Sequence, residues 1–294
     1  MSKEKQSFFY YRENIEKKIQ EYIPSFGKKT KLRDACEYAL TNGGKRYRPV
    51  IVYMIAEALK TGADVSLGAL SVELFHTASL IADDLPCMDN DDERREKPSL
   101  HKVYGETVAL LASYALITAA FELIYKNVVV IRESNLFFAE EADAICSDAL
   151  KSAAFCSGIL GATGGQFLDL FPPKLDLEMV REVIYKKTVT LFEVSFIFGW
   201  LFGGGNRLQI DLVKKASYHL GMAFQIADDL GDIESDSQKQ RKINIALVVG
   251  KEKSFEMFKE EMGLLKKCLS ELEIYTTHFQ EMCFMLEARA LSFV

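Results

Sequence analysis

The sequence predicts an all-α protein, a large helical bundle built as one domain from residues 1–294. Strand-like alternation of apolar and polar residues is rare, and no Asn-Gly or Asp-Gly turn joins two alternating runs. The segments between turn signals are mostly ten to twenty-five residues long, which is typical of helices. No internal repeat and no low-complexity linker divides the chain, so the helices are expected to share one core.

Clusters of glycine, proline and polar residues mark the ends of these helices in order along the chain. They lie at residues 24–27, 42–44, 61–62, 86–98, 161–165, 171–173, 203–206 and 236–241. Between them, an apolar helix over about residues 67–85 is expected to end at Pro86. Two long apolar runs, residues 107–121 and 188–202, are predicted to be buried helices.

Composition excludes several classes of function. The chain of 294 residues carries a net charge of −6, which gives no support to nucleic-acid binding. The six cysteines lack CxxC spacing and no secretory signal is apparent, so reduced thiols and a cytoplasmic location are expected. The apolar uncharged run at residues 107–121 has fifteen residues and is short for a membrane span, so none is expected.

An acidic cluster follows the helix that ends at Pro86. Two arginines come directly after its carboxylates, which are Asp83, Asp84, Asp89, Asp91, Asp92 and Glu93. A solvated acidic loop is the simplest interpretation. An EF-hand is excluded because Arg94 stands where the calcium loop needs glycine.

A second acidic cluster changes that interpretation. In the stretch FQIADDLGD, the residues Gln225, Asp228, Asp229 and Asp232 share one face of an otherwise apolar helix. Carboxylates in such surroundings are costly unless a cation lies against them. Mg²⁺ takes one or two carboxylates per ion and completes its shell with water and phosphate oxygens. Two aspartate clusters facing each other across a bundle would therefore hold several Mg²⁺ ions and a diphosphate.

Basic residues that could bind the phosphates directly occur in three places. The stretch GGKRYRP, residues 43–49, puts two glycines and three basic residues before a helix, an arrangement suited to anions. A basic helix start without a ligand is the alternative for this stretch. Arg94 and Arg95 flank the first acidic cluster, and YKKTVT contributes Lys187 and Thr188.

These motifs resemble those of the trans-isoprenyl diphosphate synthases, the family of farnesyl and geranylgeranyl diphosphate synthases. The first cluster matches the family's DD-x4-D motif followed by RR, and the second matches DDxxD. GGKRYRP, GATGGQFLDL and KPSLHKVYGE match further family segments, and the resemblance covers about residues 30–260. It implies the isoprenoid synthase fold, an all-α bundle around a central cavity.

The resemblance also implies a role for each matching residue. Three Mg²⁺ ions are expected, two of them on Asp83 and Asp89 and the third on Asp228, with Asp84, Asp229 and Asp232 completing the motifs. The pocket for isopentenyl diphosphate is expected to contain Gly44, Lys45, Arg48, His76 and Arg95. The pocket for the allylic diphosphate (dimethylallyl, geranyl or farnesyl) is expected to contain Arg94, Lys187, Thr188 and Gln225.

A homodimer is implied as well. His76 taken alone would be a core histidine; its place one heptad before Asp83 favours a site-lining role.

Product length is expected to depend on the helix that carries Asp83. By resemblance, a bulky aromatic residue at the position of Ala78 marks C15 products, and this chain has only a methyl group there. Ser79 beside it is also too small to close the channel, and Phe75, one turn further down the helix, is the next candidate floor. A product longer than C15 is therefore expected, with C20 favoured over other lengths. In the alternative, Ala78 only packs against a neighbouring helix.

Several positions depart from the family pattern. The segment after Asp232 is shorter and lacks the usual Gly-Lys loop, so Lys239 or Lys242 is the candidate for the missing lysine, and Asn244 matches a later segment. The usual Gly-Asp-Ala-Leu begins with Ser113, Ala82 replaces a histidine, and Glu96 replaces a glycine. A non-catalytic partner subunit and a terpene cyclase are the rival functions. A non-catalytic subunit typically loses aspartates from one motif, whereas both motifs are intact here. A terpene cyclase does not need GGKRxRP, which marks a second diphosphate pocket.

Overall fold

The computed structural model describes residues 5–238 and 243–293. The chain divides into two compact units, one formed by Met1–Leu150 with Leu201–Gly204 and the other by Lys151–Trp200 with Gly205–Val294. Helices dominate both units, which confirms the predicted all-α class. The prediction of one domain over residues 1–294 stays a prediction.

Unit 1 is built mainly from two long helices, α4 and α6, that pack along each other. Gly68 lets α4 pack closely, because a Cβ there would lie 2.5 Å from the Phe202 ring. The Gly68 N–H donates to the side chain of Asn127 on α6 at 2.8 Å. The elements are α1 Lys5–Tyr22, a 3₁₀ turn Ile23–Phe26, α2 Lys31–Thr41, α3 Tyr47–Leu59, α4 Ser66–Asp83, β1 Glu93–Arg94, β2 Lys97–Pro98, α5 Leu100–Tyr104, α6 Glu106–Arg132, a 3₁₀ turn Ala139–Glu141 and the first part of α7 Ala142–Ser157.

A two-stranded hairpin in unit 1 differs from the sequence expectation, which contained no hairpin. Strands β1 and β2 pair antiparallel, and the two residues between them, Arg95 and Glu96, have φ of 57° and 64°. Two left-handed residues in succession are typical of a type I′ turn, which normally selects asparagine and glycine. The turn gave no sequence signal because Glu96 occupies a conformation that glycine adopts without strain.

Unit 2 is organised around α11, which packs along α14. A π-helical segment, Ile184–Val189, interrupts the helical run that contains KKT. Gly221 on α11 makes room for it, because a Cβ there would lie 2.8 Å from the Val189 side chain. The elements are α8 Ala162–Leu170, α9 Leu177–Val183, the π segment, α10 Thr190–Phe202, a 3₁₀ turn Arg207–Gln209, α11 Ile210–Gly231, α12 Ile233–Gln238, α13 Ile245–Val249, α14 Lys251–Glu271 and α15 Thr277–Leu291.

Helix α6 is long and apolar enough, by length and composition, to cross a membrane, and it is the one such helix in the described part of the chain. It extends beyond the uncharged run at residues 107–121, through Glu122 and Lys126 to Arg132. Of its most apolar 18-residue stretch, 44% is buried within the protein. Core helices of globular proteins meet the same two criteria, so α6 is weak support for a membrane span.

Candidate functional site

The first aspartate motif lies where α4 ends in unit 1. Asp83 is the last residue of α4, and the chain then turns back so that the Asp89 N–H donates to the Asp83 carbonyl at 2.9 Å. Asn90 completes the turn with φ of 52° and an N–H bond of 3.1 Å to the Leu85 carbonyl. The spacing DD-x4-D therefore closes a tight loop in which the backbones of the two predicted metal ligands, Asp83 and Asp89, are hydrogen-bonded to each other.

Asp84 is held by an arginine of the same motif. It is 3% exposed, and Arg94 Nε lies 2.9 and 3.3 Å from its two carboxylate oxygens. Arg94 also reaches Asp91 at 3.3 Å. Burial raises the pKa of Asp84, and the Arg94 contacts act against that rise by stabilising the charged form. One arginine thus compensates two of the clustered carboxylates, while its contact with an allylic diphosphate stays a prediction.

The basic residues of GGKRYRP have different environments. Lys45 is exposed, whereas Arg46 is 3% exposed and has the left-handed φ of 55° just before α3 begins. Arg46 donates from Nε to Glu16 at 2.9 Å and also pairs with Glu73, a glutamate that is 1% exposed. We conclude that Arg46 is a structural residue of this motif, which leaves Lys45 and Arg48 as its candidate phosphate ligands.

The different environments of Arg46 and Lys45 predict unequal effects of their substitution on stability. Arg46→Met should lower the free energy of unfolding by about 3–5 kcal/mol, because it removes the guanidinium that pairs most closely with the buried Glu73 carboxylate. Lys45→Met should change it by less than about 0.5 kcal/mol, because an exposed surface position tolerates substitution. Urea unfolding of the two variants measures both values, and equal effects would contradict the assignment.

His76 lies beside the arginines of the predicted isopentenyl diphosphate pocket. Arg48 approaches its Nε2 to 3.3 Å, which makes Nε2 the acceptor and fits a neutral ring protonated at Nδ1. Burial lowers the pKa of His76 well below its usual range, and Arg48 and Arg95 lower it further. His76 is thus in contact with a candidate phosphate ligand and is not an isolated core histidine.

Arg95 explains the second glycine of GGKRYRP. Its guanidinium donates to the Gly43 carbonyl and lies 4.0 Å from Glu73. A Cβ at Gly44, where φ is 120°, would lie 2.5 Å from the Arg95 Cζ atom. Glycine is therefore needed at position 44 to let Arg95 pack there, and the structure brings the hairpin and the basic motif together.

The predicted allylic residues of unit 2 form a chain of hydrogen bonds. The Thr188 hydroxyl donates to Gln225 at 2.8 Å, and the Gln225 amide donates to Asp229 at 2.8 Å. The second oxygen of Asp229 accepts the Ile245 N–H at 2.7 Å. Burial raises the pKa of Asp229 to about 7, although both donors act in the opposite direction. Both oxygens of Asp229 are used within the protein, so this aspartate fixes the start of α13 against α11.

Lys187 pairs with Asp169, a residue that the sequence analysis did not single out. Asp169 is the aspartate of GATGGQFLDL on α8. The glycines of that motif bring α8 close, because a Cβ at Gly165 would lie 2.4 Å from the Lys187 backbone nitrogen. The motif was a visible signal for Asp169, but the pairing of Asp169 with Lys187 was not visible in the sequence.

The other two aspartates of the second motif differ in their surroundings. Asp228 forms an ion pair with Arg289 of α15, and Asp232 is exposed at the end of α11. Arg289 had no signal in the sequence. Of the residues proposed for the shortened segment, Asn244 caps α13 and donates to the Asp229 carbonyl at 3.0 Å. Lys239 and Lys242 lie outside the described residues.

Two of the three predicted chain-length residues, Phe75 and Ala78, contact α6. Ala78 is fully buried, and its carbonyl accepts a bond of 3.0 Å from the hydroxyl of Ser113, the residue that replaces the family's glycine. The Phe75 ring packs edge-on against Phe121 with centroids 5.1 Å apart. The Ser79 hydroxyl bonds back to its own helix. This geometry is also compatible with the alternative in which Ala78 only packs against a neighbouring helix.

The donor chemistry fits Mg²⁺. Among residues 5–238 and 243–293, no three His, Cys, Asp or Glu side chains form a ready-made metal cage. Mg²⁺ does not require one, because it commonly takes one or two carboxylates and completes its shell with water and substrate phosphates. The adjacent Asp83 and Asp89 in unit 1, and the partly exposed Asp228 in unit 2, offer the hard oxygen donors that it prefers.

Known proteins share both the sequence and the fold. Heterodimeric geranylgeranyl pyrophosphate synthase large subunit 2 of Arabidopsis thaliana is 35% identical over 263 residues, 84% of this chain and 66% of that protein. Farnesyl diphosphate synthase of Bacillus subtilis is 35% identical over 231 residues, 78% of this chain and 75% of that protein. The crystal structure of a geranyltransferase from Legionella pneumophila superposes with a TM-score of 0.82 at 29% identity, covering 97% of each chain.

The plant relatives are longer than this chain. It spans 56–66% of the length of the Arabidopsis thaliana and Capsicum annuum synthases that it matches. The sequence pattern of the family described as polyprenyl synthetase matches residues 29–247, which include both aspartate motifs. With a match over more than half of its length, the chain belongs to the polyprenyl synthetase family.

Proposed function

We propose that this protein is a prenyltransferase that condenses isopentenyl diphosphate with an allylic diphosphate to give a longer all-trans prenyl diphosphate. The observation that carries the proposal is the presence of both aspartate motifs intact, together with the basic residues that a second diphosphate needs. Asp83 and Asp89 meet in one tight loop, and Arg48, His76 and Arg95 lie near one another in the same unit. The names of the relatives support the same reaction class.

In the proposed mechanism the basic residues bind and orient the two diphosphates. Lys45, Arg48 and Arg95 hold isopentenyl diphosphate, and Lys187 with Thr188 holds the allylic diphosphate, as charge-assisted donors to phosphate oxygens. Three Mg²⁺ ions, held by Asp83, Asp89 and Asp228, would neutralise the charge of the departing diphosphate.

The bond changes need no side-chain nucleophile. The allylic C–O bond breaks and its electron pair leaves with the diphosphate. The isopentenyl double bond attacks the resulting carbocation, and the new cation loses a proton to the released diphosphate. The neutral His76 ring can accept a hydrogen bond from Arg48 and orient that guanidinium without adding a charge to the pocket. Asp84 and Asp229 serve as positioning residues, because protein donors already occupy their oxygens.

A non-catalytic partner subunit is the second candidate, since one relative is named as a subunit of a heterodimeric synthase. Incubating the purified chain alone with Mg²⁺, radiolabelled isopentenyl diphosphate and each of the three allylic primers tests the choice. Products longer by five carbons per condensation are expected. Incorporation that appears only after a second subunit is added would contradict the proposed activity of this chain alone.

Product length is part of the proposal, with C20 favoured over C15 and longer chains. Ala78→Tyr should shift products to C15 and leave the first condensation nearly unchanged, as measured by chromatography of the dephosphorylated products. Because Ala78 is fully buried, tyrosine there requires repacking against α6. Ser79→Phe, at a half-buried position, is a second variant that blocks the same path. Unchanged products from both folded variants would exclude this face of α4 as the floor of the channel.

A homodimer and a cytoplasmic location complete the proposal. The exposed residues of α6 include Leu110, Leu111, Tyr114 and Tyr125, which form an apolar stripe at helical spacing. Such a stripe is suited to burial against a second copy. The location is supported by the six free cysteines.

The dimer is tested by sedimentation. A species of twice the chain mass is expected at micromolar concentration. Leu111→Glu should shift it toward the monomer, because the substitution places a charge in the apolar stripe. A wild-type monomer under these conditions would contradict the assignment.

A further inference from the structure

The C-terminal turn of α15 is docked on the second aspartate motif by two different contacts. The Arg289 guanidinium pairs with the Asp228 carboxylate. Nearby, the Phe293 ring packs on Gly231, where a Cβ would lie 2.8 Å from the ring Cζ atom. A charged contact and an apolar contact therefore fix residues 289–293 to the end of α11 that carries the motif.

Solvent can reach the ion pair. The Arg289 and Asp228 side chains are 33% and 26% exposed. Because both side chains are partly exposed, a small cation can reach this carboxylate from solvent without unfolding of the helices. Arg289 supplies at Asp228 the positive charge that the proposed function assigns there to a metal ion.

A divalent cation and a guanidinium within a few ångströms of each other repel. We propose that Arg289 is an internal cation that occupies Asp228 in the metal-free protein and is displaced when a metal–diphosphate complex binds there. Displacement removes the charged contact that docks residues 289–293, so the C-terminal turn loosens as the metal arrives. This inference rests on the proposed function, which places a metal ion on Asp228.

The affinity for Mn²⁺, measured from the electron paramagnetic resonance of the free ion in the presence of equimolar inorganic diphosphate, tests the displacement. Arg289→Met should bind Mn²⁺ about three- to tenfold more tightly than wild type, because no internal cation has to leave. Lys266→Met is the matched control, since it removes a cation paired with Glu287 of the same helix at 2.6 Å. Its affinity should stay within about twofold of wild type. Unchanged or weaker binding by Arg289→Met would contradict the inference.

Hydrogen exchange provides the second readout. In wild type, the amides of residues 289–293 should exchange faster once Mn²⁺ and diphosphate are added. In Arg289→Met they should exchange fast from the start and show no response to the metal. If these amides of the wild-type protein exchange at the same rate with and without Mn²⁺ and diphosphate, the C-terminal turn does not loosen and the inference is contradicted.

Asp228→Asn separates failure of this inference from failure of the proposed function. The variant should bind one Mn²⁺ fewer than wild type. If it retains every ion, the metal assignment of the proposed function is wrong, and the displacement is wrong with it. If it loses an ion but Arg289→Met does not bind more tightly, only the displacement is wrong.

Discussion

Asp83→Ala and Asp228→Ala are each expected to lower turnover by about 10²–10³-fold or more, because each removes a ligand from the ions that stabilise the departing diphosphate. The fold should be retained. Asp83 is half-buried at a helix end, and Asp228 is 26% exposed. Steady-state incorporation of isopentenyl diphosphate at saturating Mg²⁺, together with the melting temperature, measures both effects.

Asp92→Ala is the control for this prediction. Asp92 belongs to the same acidic cluster but is 69% exposed and pairs with Lys102 at 2.6 Å. Its removal should change turnover by less than about twofold. Near-normal turnover in either Asp83→Ala or Asp228→Ala would contradict the metal assignment, and a large loss in Asp92→Ala would show that the cluster acts by overall charge.

Arg95→Ala and Lys45→Ala are expected to weaken binding of isopentenyl diphosphate by about tenfold or more, and binding of the allylic diphosphate less. A charge-assisted contact is worth about 1.5–3 kcal/mol, which corresponds to this factor. Arg95 also bonds to the Gly43 carbonyl, so its loss loosens the loop that presents Lys45. Titration calorimetry with each diphosphate separately measures the two affinities.

Lys97→Ala is the control for the basic residues, since Lys97 is an exposed residue of the same hairpin. It should leave both affinities within about twofold. If Arg95→Ala and Lys45→Ala weaken allylic binding more than isopentenyl binding, the two pockets have been assigned the wrong way round.

The class of fold and the position of the motifs were predictable from the sequence. The helical segment lengths predicted an all-α protein, and the spacing of Asp83 and Asp89 predicted a shared role that a tight loop supports. Both predictions depend on local sequence, where helix ends and residue spacing are directly visible.

The partners of the charged residues were not predictable. Arg46 and Lys45 are neighbours in one basic motif, yet one is buried on Glu73 and the other is exposed. Arg289 pairs with Asp228 across two different helices, and nothing in its local sequence indicates that contact. Ion pairs between distant residues depend on how helices pack, which a single sequence does not specify.

The hairpin turn is the other feature in which the structure differs from the sequence prediction. The turn at Arg95 and Glu96 adopts two left-handed residues without glycine or asparagine. A sequence pattern for hairpins relies on those residue types, so it cannot detect a turn in which packing overrides local preference. Here the Arg95 guanidinium is fixed by the Gly43 carbonyl and by the space at Gly44.

Release of inorganic diphosphate by the purified chain, measured with an allylic diphosphate alone and then with isopentenyl diphosphate added, tests the central claim most directly. A condensing enzyme should release one diphosphate for each isopentenyl diphosphate consumed, and almost none from the allylic substrate alone. Equal release without isopentenyl diphosphate would indicate a cyclase, and no release with both substrates would indicate a non-catalytic subunit. Either result would contradict the proposed condensation.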